Sequence, residues 1–459
     1  MWGDVYEIIV DGKSGSVPLG TGFPIIIGTS TKGETAKAKL LGPDSDIEEI
    51  FGSGNLVEKL KDFFAYSGQN AGCIAVRVAS DIQGSAGSIS ESKTGDLTCA
   101  LNGTPKINCE IVILFTKEGG MNNAQYKYSI DGGDTFTEVY TLPLTGIITI
   151  PEAGLTFTFS GTEAKENDLY SVNCKGNSAS ITAVVNTLTP ILEKYDVEFI
   201  LITEPTDSSD WAALGIIADS LYNEHKPTFF LTTTRTVNDG ESIDDWVEYC
   251  RTEKTGFAHP YICAVACFGD VIEANGTQKI RDVSGIIAGI ISKARVDQSI
   301  AEVDSFPIRT VTLPDNFINA HAKALEELGF ITLKKYAGLN NLFVVEGRTL
   351  AEPNSDYKHI EALRTIFKTV RLARIKSLPY LKKPIKGGEA GLKAIESDIR
   401  EYIKNNMVRV IPNEIEDVEV NIPLGQDINN NGLAYDLTIF ASPIIRKITI
   451  FFRLKIAEV

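Results

Sequence analysis

The chain has 459 residues, of which 43% are hydrophobic and 23% are charged, and its formal net charge is −16 at pH 7. This length exceeds one ordinary hydrophobic core, so about two to four domains are expected. The acidic balance disfavours nonspecific nucleic-acid binding, and no run approaches the ~18 apolar residues of a transmembrane helix. The start, MWGDVYEIIVDGK, lacks the basic and apolar regions of a signal peptide, and seven cysteines cannot all pair. We therefore expect a protein made and folded in the cytoplasm.

Residues 1–20 are predicted to form an N-terminal arm. The run VYEIIV at 5–10 is typical of a short strand, and the glycine- and serine-rich DGKSGSVPLGTG that follows is typical of a tether. The residues assigned to this arm strand are Val5, Tyr6, Ile8, Ile9 and Val10. The GKS at 12–14 is not a phosphate-binding loop, because the glycine required five residues earlier is Glu7.

Residues 21–83 and 181–352 are predicted to form one α/β core. Apolar runs such as FPIIIGTS at 23–30 and VEFILITEP at 197–205 alternate with segments of helical periodicity such as LVEKLKDFFAY at 56–66. Continuous apolar strands that alternate with helices indicate a helix-covered, mostly parallel sheet. The run YICAVACFGD at 261–270 is expected to be one buried strand with Cys263 and Cys267 on the same face.

Residues 84–180 differ in composition and are predicted to be an all-β insertion. Short strands recur every 8–12 residues, which favours a small β-sandwich or barrel. Asp131 and Asp134 flank a Gly-Gly pair between two strand-like runs, which is typical of a hairpin turn rather than a calcium site.

The sequence shows no catalytic constellation. The strand ends of the core read TEPTD, TTTRT and FGD, without a nucleophile motif or a glycine fingerprint that opens a helix. The four histidines, at 225, 259, 321 and 359, have no metal-ligand or triad spacing. Asp427, Asn429 and Asn431 imitate a calcium loop, but Thr438 stands where its bidentate glutamate is due. Catalytic, cofactor-binding and metal-binding residues are therefore predicted to be absent.

Residues 353–459 are predicted to be an α+β domain of two helices and a small sheet. Between 360 and 410 the chain has twelve basic and five acidic residues, so a basic domain accompanies an acidic body. Arg364, Lys368 and Arg371 recur at i, i+4 and i+7 of the first helix, which is typical of a solvated basic face; a docking stripe for an acidic surface is the alternative.

The stretch IIRKITIFFRLKI at 444–456 is predicted to be a long strand with one buried and one wet face. Its apolar face consists of Ile448, Ile450, Phe452, Leu454 and Ile456. We expect the strand to begin in its own sheet and its last residues to pair with a neighbouring subunit.

These parts, in this order, resemble the tail sheath proteins of contractile phage tails, contractile bacteriocins and related injection systems. The resemblance lies in the strand FPIIIGTSTKG (23–33), the element IEEIFG (47–52), the helix end DFFAYSGQNAG (62–72) and the strand CIAVRVAS (73–80). Residues 353–459 are similar to the sheath C-terminal domain. The start departs from the Pro/Gly-rich arm of many sheath proteins, and residues 84–180 match no motif of the family.

The resemblance implies a structural subunit that is not an enzyme and needs no cofactor. Such a subunit polymerises helically with copies of itself around an inner tail tube, between a baseplate and a tail terminator, and contracts to drive the tube through an envelope. The resemblance also implies that both terminal arms, including the run at 5–10, add strands to the sheets of neighbours. The basic helix stripe would face the tube, and residues 84–180 would point outward. Assembly in the bacterial cytoplasm is expected, with the product part of an extracellular virion tail or bacteriocin particle. No nucleic-acid partner and no membrane insertion are expected.

Two other functions remain open from the sequence. The first is an α/β enzyme or nucleotide-binding protein with an accessory β domain. The second is a carbohydrate- or surface-binding role of residues 84–180, in addition to the sheath role.

Overall fold

The computed structural model describes residues 22–238, 240–273 and 276–453. The chain divides into two units. The first unit comprises Met1–Arg295 and Ile300–Leu363, and the second comprises Val296–Ser299 and Arg364–Val459. The predicted arm strand at 5–10 and residues Leu454 and Ile456 lie outside the described residues.

The first unit begins with one half of an α/β sheet. Its elements are β1 (Pro24–Thr29), β2 (Ala38–Leu41), α1 (Ile47–Phe51), α2 (Asn55–Tyr66) and β3 (Cys73–Val78). Every residue of β1 is buried, as expected for a central strand covered on both faces. Asp46 caps the start of the short helix α1: its side chain accepts a hydrogen bond from the Glu49 amide at 2.9 Å.

The insertion (residues 84–180) follows as two antiparallel sheets. Its strands are β4 (Ser85–Ala86), β5 (Ser90–Ser92), β6 (Thr98–Gly103), β7 (Cys109–Lys117), β8 (Gln125–Ser129), β9 (Tyr140–Thr141), β10 (Ile147–Ile150), β11 (Leu155–Ser160) and β12 (Leu169–Lys175). One sheet has the order β10-β11-β6, and the other has β4-β12-β7-β8-β9 with β5 also on β12. Both sheets contribute to one apolar cluster. At its centre the rings of Phe159 and Tyr170 meet edge to face at 5.0 Å.

The α/β pattern then resumes. The elements are α3 (Ile181–Leu192), β13 (Phe199–Pro205), α4 (Ser208–Asn223), β14 (Phe229–Thr233), α5 (Ile243–Lys254), β15 (Ile262–Val265), β16 (Phe268–Ile272), β17 (Gln278–Asp282), α6 (Ser284–Lys293), β18 (Val311–Thr312), α7 (Asn319–Glu327), β19 (Leu333–Lys335) and β20 (Leu342–Val344). The main sheet has the order β15-β14-β13-β1-β3-β2. Its first five strands are parallel, and β2 runs antiparallel to β3 at the edge.

The prediction that residues 261–270 form a single strand is wrong. This run is divided between β15 of the main sheet and β16, which pairs with β17 and β18 in a separate sheet. Cys263 lies in β15 and Cys267 lies between the two strands, so they do not share a strand face. An unbroken apolar run fixes burial, but it does not mark the residue at which a strand leaves its sheet.

Helices α2 and α6 approach each other closely because α6 presents glycines. A Cβ atom on Gly285 would lie 2.8 Å from the Lys59 carbonyl oxygen, and one on Gly289 would lie 2.5 Å from that of Phe63. Beside this contact, the Arg281 guanidinium donates to both carboxylate oxygens of Asp62, at 3.1 and 2.7 Å. Both side chains are only 5% exposed, so removal of either charge would leave the other buried without this partner.

The second unit contains helices and a small sheet. Its elements are the part of α8 (Ile360–Ser377) from Arg364 onward, a 3₁₀ turn (Leu378–Tyr380), α9 (Glu389–Ile403), a π turn (Lys404–Val408), β21 (Asp417–Asn421), α10 (Ile428–Asn431) and β22 (Asp436–Phe440). β21 and β22 form an antiparallel pair. Val418 and Val420 of β21 are buried with Ile395 and Ile399 of α9 in one apolar cluster.

Candidate assembly surfaces

The C-terminal tail, residues 441–453, is exposed and belongs to no strand. Ile448, Ile450 and Phe452 are 75%, 65% and 89% exposed. The expectation that this strand begins in its own sheet is therefore wrong for its described part. Alternating apolar residues favour a strand, but a strand also needs an edge that supplies backbone hydrogen bonds, and this segment does not join β21 or β22.

The small sheet of the second unit has open edges. Within the described residues, β21 and β22 each have one strand neighbour, which is the other. β22 exposes Asp436, Thr438 and Phe440 and only half buries Leu437 and Ile439. A two-stranded sheet is marginal by itself in water, and its unpaired backbone groups can accept another strand.

The predicted basic stripe on α8 is not an exposed surface. Arg364 is only 1% exposed, which contradicts its assignment as a tube-facing residue. The Lys368 ammonium donates to both carboxylate oxygens of Glu414, at 2.7 and 2.5 Å, and Arg371 is half-buried. Helical spacing places these residues on one stripe, but it does not show that Arg364 is buried there.

Other cations of the second unit are exposed. Arg374, Lys382, Lys383 and Lys386 are all exposed, and within the described residues none of them has an acidic partner within ion-pair distance. By contrast, Lys376 contacts Asp398 at 2.9 Å. We call the segment 374–386 the basic segment, because most of its cations are exposed.

The crevice in which many α/β sheets bind ligands is occupied by side chains of this chain. Chain order reverses between β1 and β13, and such a reversal opens a crevice at the carboxyl ends of the strands. Glu204, at the end of β13, is 2% exposed. It accepts hydrogen bonds from the Thr29 amide at 2.9 Å, the Thr29 hydroxyl at 2.7 Å and the Asn55 amide group at 2.6 Å. Burial raises the pKa of Glu204, and these hydrogen bonds oppose the rise.

The insertion completes this polar cluster. The Asn108 side chain donates to the Asn55 oxygen at 2.8 Å and accepts from the Gly176 amide at 2.8 Å. Every polar atom of the Glu204 carboxylate thus has a partner from the chain itself. Sequence reasoning missed this cluster, because Glu204 belongs to no motif and its partners come from distant segments.

The remaining motif residues have local roles. His259 and His321 lie 3.4 and 3.0 Å from the carboxylates of Asp219 and Asp244. Asp131 accepts hydrogen bonds from the Thr135 amide at 3.0 and 3.1 Å within its turn, and the Asp427 side chain caps α10. In the described part of the chain no three His, Cys, Asp or Glu side chains form a group that could hold a metal ion. No helix in that part is long and apolar enough to cross a membrane.

Solved structures of contractile sheaths have the same fold over nearly the whole chain. The PVC sheath complex of an extracellular contractile injection system, in its contracted state, matches with a TM-score of 0.54 and 12% identity, over 99% of this chain and 97% of that one. The helical sheath of the anti-feeding prophage, also contracted, matches with a TM-score of 0.54 and 14% identity, over 98% of both chains. A sheath tail protein from Desulfitobacterium hafniense matches with a TM-score of 0.50 and 14% identity, over 96% and 100%.

The chain thus has the fold of contractile sheath proteins, as the resemblance in its sequence indicated. It belongs to the DUF2586 family: residues 2–348 match the model of the DUF2586 N-terminal domain, and residues 356–458 match that of the DUF2586 C-terminal domain. No curated protein matches the sequence.

Proposed function

We propose that this chain is the structural subunit of a contractile sheath, which polymerises helically around an inner tube and contracts to drive that tube through a target envelope. The observation that supports this most strongly is the sheath fold shared over 98% of both chains with the anti-feeding prophage sheath. Copies of the chain, the tube, a baseplate and a tail terminator are its proposed partners. Assembly takes place in the bacterial cytoplasm, and no cofactor or catalytic step is involved.

The exposed tail provides the means of polymerisation. Its apolar residues Ile448, Ile450 and Phe452 gain burial, and its backbone gains hydrogen-bond partners, when it adds a strand to the open edge of the β21–β22 sheet in a neighbouring copy. The N-terminal run at 5–10 is proposed as a second such arm. Between them the arms link each subunit to its neighbours while the sheath changes length.

The test is to express the full chain and a variant that lacks residues 451–459, and to view both by negative-stain microscopy. Full-length protein is expected to form sleeves or rings, and the truncated protein is expected to remain monomeric. The melting temperatures of the two subunits should agree, because residues 451–453, the described part of the deleted segment, are exposed. Sleeves formed equally well by the truncated protein would refute the arm model.

The basic segment is proposed to contact the tube in place of the α8 stripe. Lys382, Lys383 and Lys386 are the residues to reverse to glutamate together, with reversal of three exposed lysines elsewhere (Lys106, Lys117 and Lys194) as a control for net charge. Sheath assembly on tubes is expected to fail only for the first variant. The yield of wild-type sheath on tubes should fall as the salt concentration is raised. Equal assembly by both variants would exclude the basic segment from this contact.

An enzyme with an accessory β domain is the alternative from the sequence. Neither the crevice filled by Glu204, Asn55 and Asn108 nor the environments of the histidines favours it, so we do not propose it.

A further inference from the structure

Two cysteines of the insertion face each other across neighbouring strands. β7 and β12 are antiparallel, and their register pairs Cys109 directly with Cys174. Residues paired in this way have Cα atoms about 4.5–5.5 Å apart and side chains on the same face. A disulfide needs Cα atoms about 4.4–6.8 Å apart. The backbone therefore already holds these two residues at a separation that a disulfide can span.

The side chains are also suitably placed. Both thiols are free, both residues are almost buried, at 7% and 6% exposure, and the two side chains are close enough for each to shift the pKa of the other. The interaction with Cys174 lowers the pKa of the Cys109 thiol, although burial opposes this. The same contact raises the pKa of Cys174. Cys109 is therefore the member of the pair that forms the nucleophilic thiolate.

The other five cysteines have no such partner. Cys73, Cys99 and Cys263 are paired across their strands with Leu41, Phe159 and Leu231. Cys250 lies in a helix, and Cys267 lies between two strands. Burial raises the pKa of Cys250 and Cys267 to about 12. The Cys109–Cys174 pair is thus distinct from the ordinary buried thiols of the chain.

We propose that Cys109 and Cys174 are a modification site, a dithiol that peroxide converts to a cross-strand disulfide. The Cys109 thiolate attacks one oxygen of hydrogen peroxide; an S–O bond forms, the O–O bond breaks, and the departing hydroxide is protonated to water. The Cys174 sulfur then attacks the Cys109 sulfenic acid. An S–S bond forms, the S–O bond breaks, and the leaving hydroxide takes the Cys174 proton as a second water. The two sulfurs lose two electrons, and the peroxide gains them.

The position of the pair gives the cross-link a consequence. Cys109 begins β7 and Cys174 lies one residue before the end of β12. Asn108 and Gly176, which join the insertion to the polar cluster at Asn55, are adjacent to these strand ends. A bond between β7 and β12 at this level fixes the base of the insertion. The site does not depend on the proposed sheath function, but a sheath that leaves the reducing cytoplasm would pass from the dithiol to the disulfide form.

The experiment uses the full-length subunit, reduced, freed of reductant and then exposed to hydrogen peroxide. Alkylation in denaturant followed by intact-mass analysis should show that two of the seven cysteines are no longer labelled, and dithiothreitol should restore both. A nonreducing digest should contain one peptide pair, which joins Cys109 to Cys174. The oxidised subunit should melt several degrees higher than the reduced one, because the cross-link restricts the unfolded chain.

Cys109→Ser and Cys174→Ser should each abolish the cross-link and the shift in melting temperature, whereas Cys99→Ser, in the same insertion, should retain both. If the serine variants do not fold, the peptide map of the wild-type protein still decides the question. Labelling of all seven cysteines after peroxide, a cross-link between other residues, or conversion of Cys109 to sulfinic acid without a cross-link would overturn the proposal. These readouts need only the unassembled subunit, so they remain valid if microscopy finds no sleeves.

Discussion

The six-stranded sheet and the β21–β22 sheet differ in how many of their strand edges are paired or covered within one chain. The six-stranded sheet buries its central strand β1 on both faces, and its edge strand β2 is only four residues long. The β21–β22 sheet has two strands, half exposes β22, and is followed by an apolar tail that pairs with neither strand. The first sheet is held by contacts inside one chain, whereas the second has open hydrogen-bonding edges within the described residues.

The largest expected effect comes from breaking the first region from inside. Arg281→Met leaves the Asp62 carboxylate, 5% exposed, without its principal cation, and the loss of one partner of a buried pair costs about 3–5 kcal/mol of unfolding free energy. Urea denaturation should measure this loss. The control is Arg251→Met, which breaks an exposed pair with Glu248 at 3.1 Å and should cost at most about 1 kcal/mol. Equal losses in the two variants would show that the Arg281 pair does not stabilise the core.

A smaller, pH-dependent effect is expected at the loop that follows β14. The Arg235 guanidinium donates to both oxygens of Glu241, at 2.6 and 2.8 Å, and this contact lowers the pKa of Glu241 from 4.5 to about 2. Because the folded-state pKa lies below the unfolded value, the stabilisation is complete above pH 4.5 and is lost as the pH falls towards 2. Glu241→Gln should cost about 1 kcal/mol at neutral pH.

Urea unfolding of both proteins between neutral pH and pH 2 would measure this dependence. The difference between wild type and Glu241→Gln should shrink in the acidic part of that range. A difference that stays constant with pH would mean that the ion pair does not stabilise the fold, and that the substitution acts through packing alone.

The smallest effect on the subunit, but a large one on assembly, is expected in the tail. Ile450→Lys changes a residue that is 65% exposed, so the unfolding free energy of the isolated subunit should change by at most about 0.5 kcal/mol. Thr449→Lys adds the same charge on the opposite face, since successive strand residues alternate. Sleeves in the microscope should be absent for Ile450→Lys and present for Thr449→Lys. The same assembly yield for both variants would argue against a strand with one buried face.

Segments whose partners are near in sequence or supplied by an obvious apolar run were predictable. The run at 23–30 is β1, the run at 56–66 is α2, and the turn at Asp131 forms through its own side chain. Their residues carry the pattern of burial or capping that determines the element. The same holds for the α/β alternation, because continuous apolar strands between helices require cover on both faces.

Other features depend on partners that the sequence does not locate. Arg364 has helical spacing and charge typical of a wet stripe, yet the fold buries it. Glu204 carries no signal, because its partners Thr29 and Asn55 are 175 and 149 residues away in the sequence. The tail at 444–453 has a clear strand pattern, yet it belongs to no strand among the described residues. Periodicity describes the face that a segment prefers, not the molecule that will cover it.

The link between Asn108 and Asn55 has a consequence for redesign of the chain. Removal of the whole insertion would take away Asn108 and admit water to the ionisable Glu204 carboxyl group. Shortening or grafting should therefore be done at the end of β7 opposite Cys109, in the turn that joins β7 to β8, where Asn122 is exposed and has a positive φ of 63°. A foreign peptide carried there would leave the base intact, so this turn is the natural place to display a sequence on the subunit.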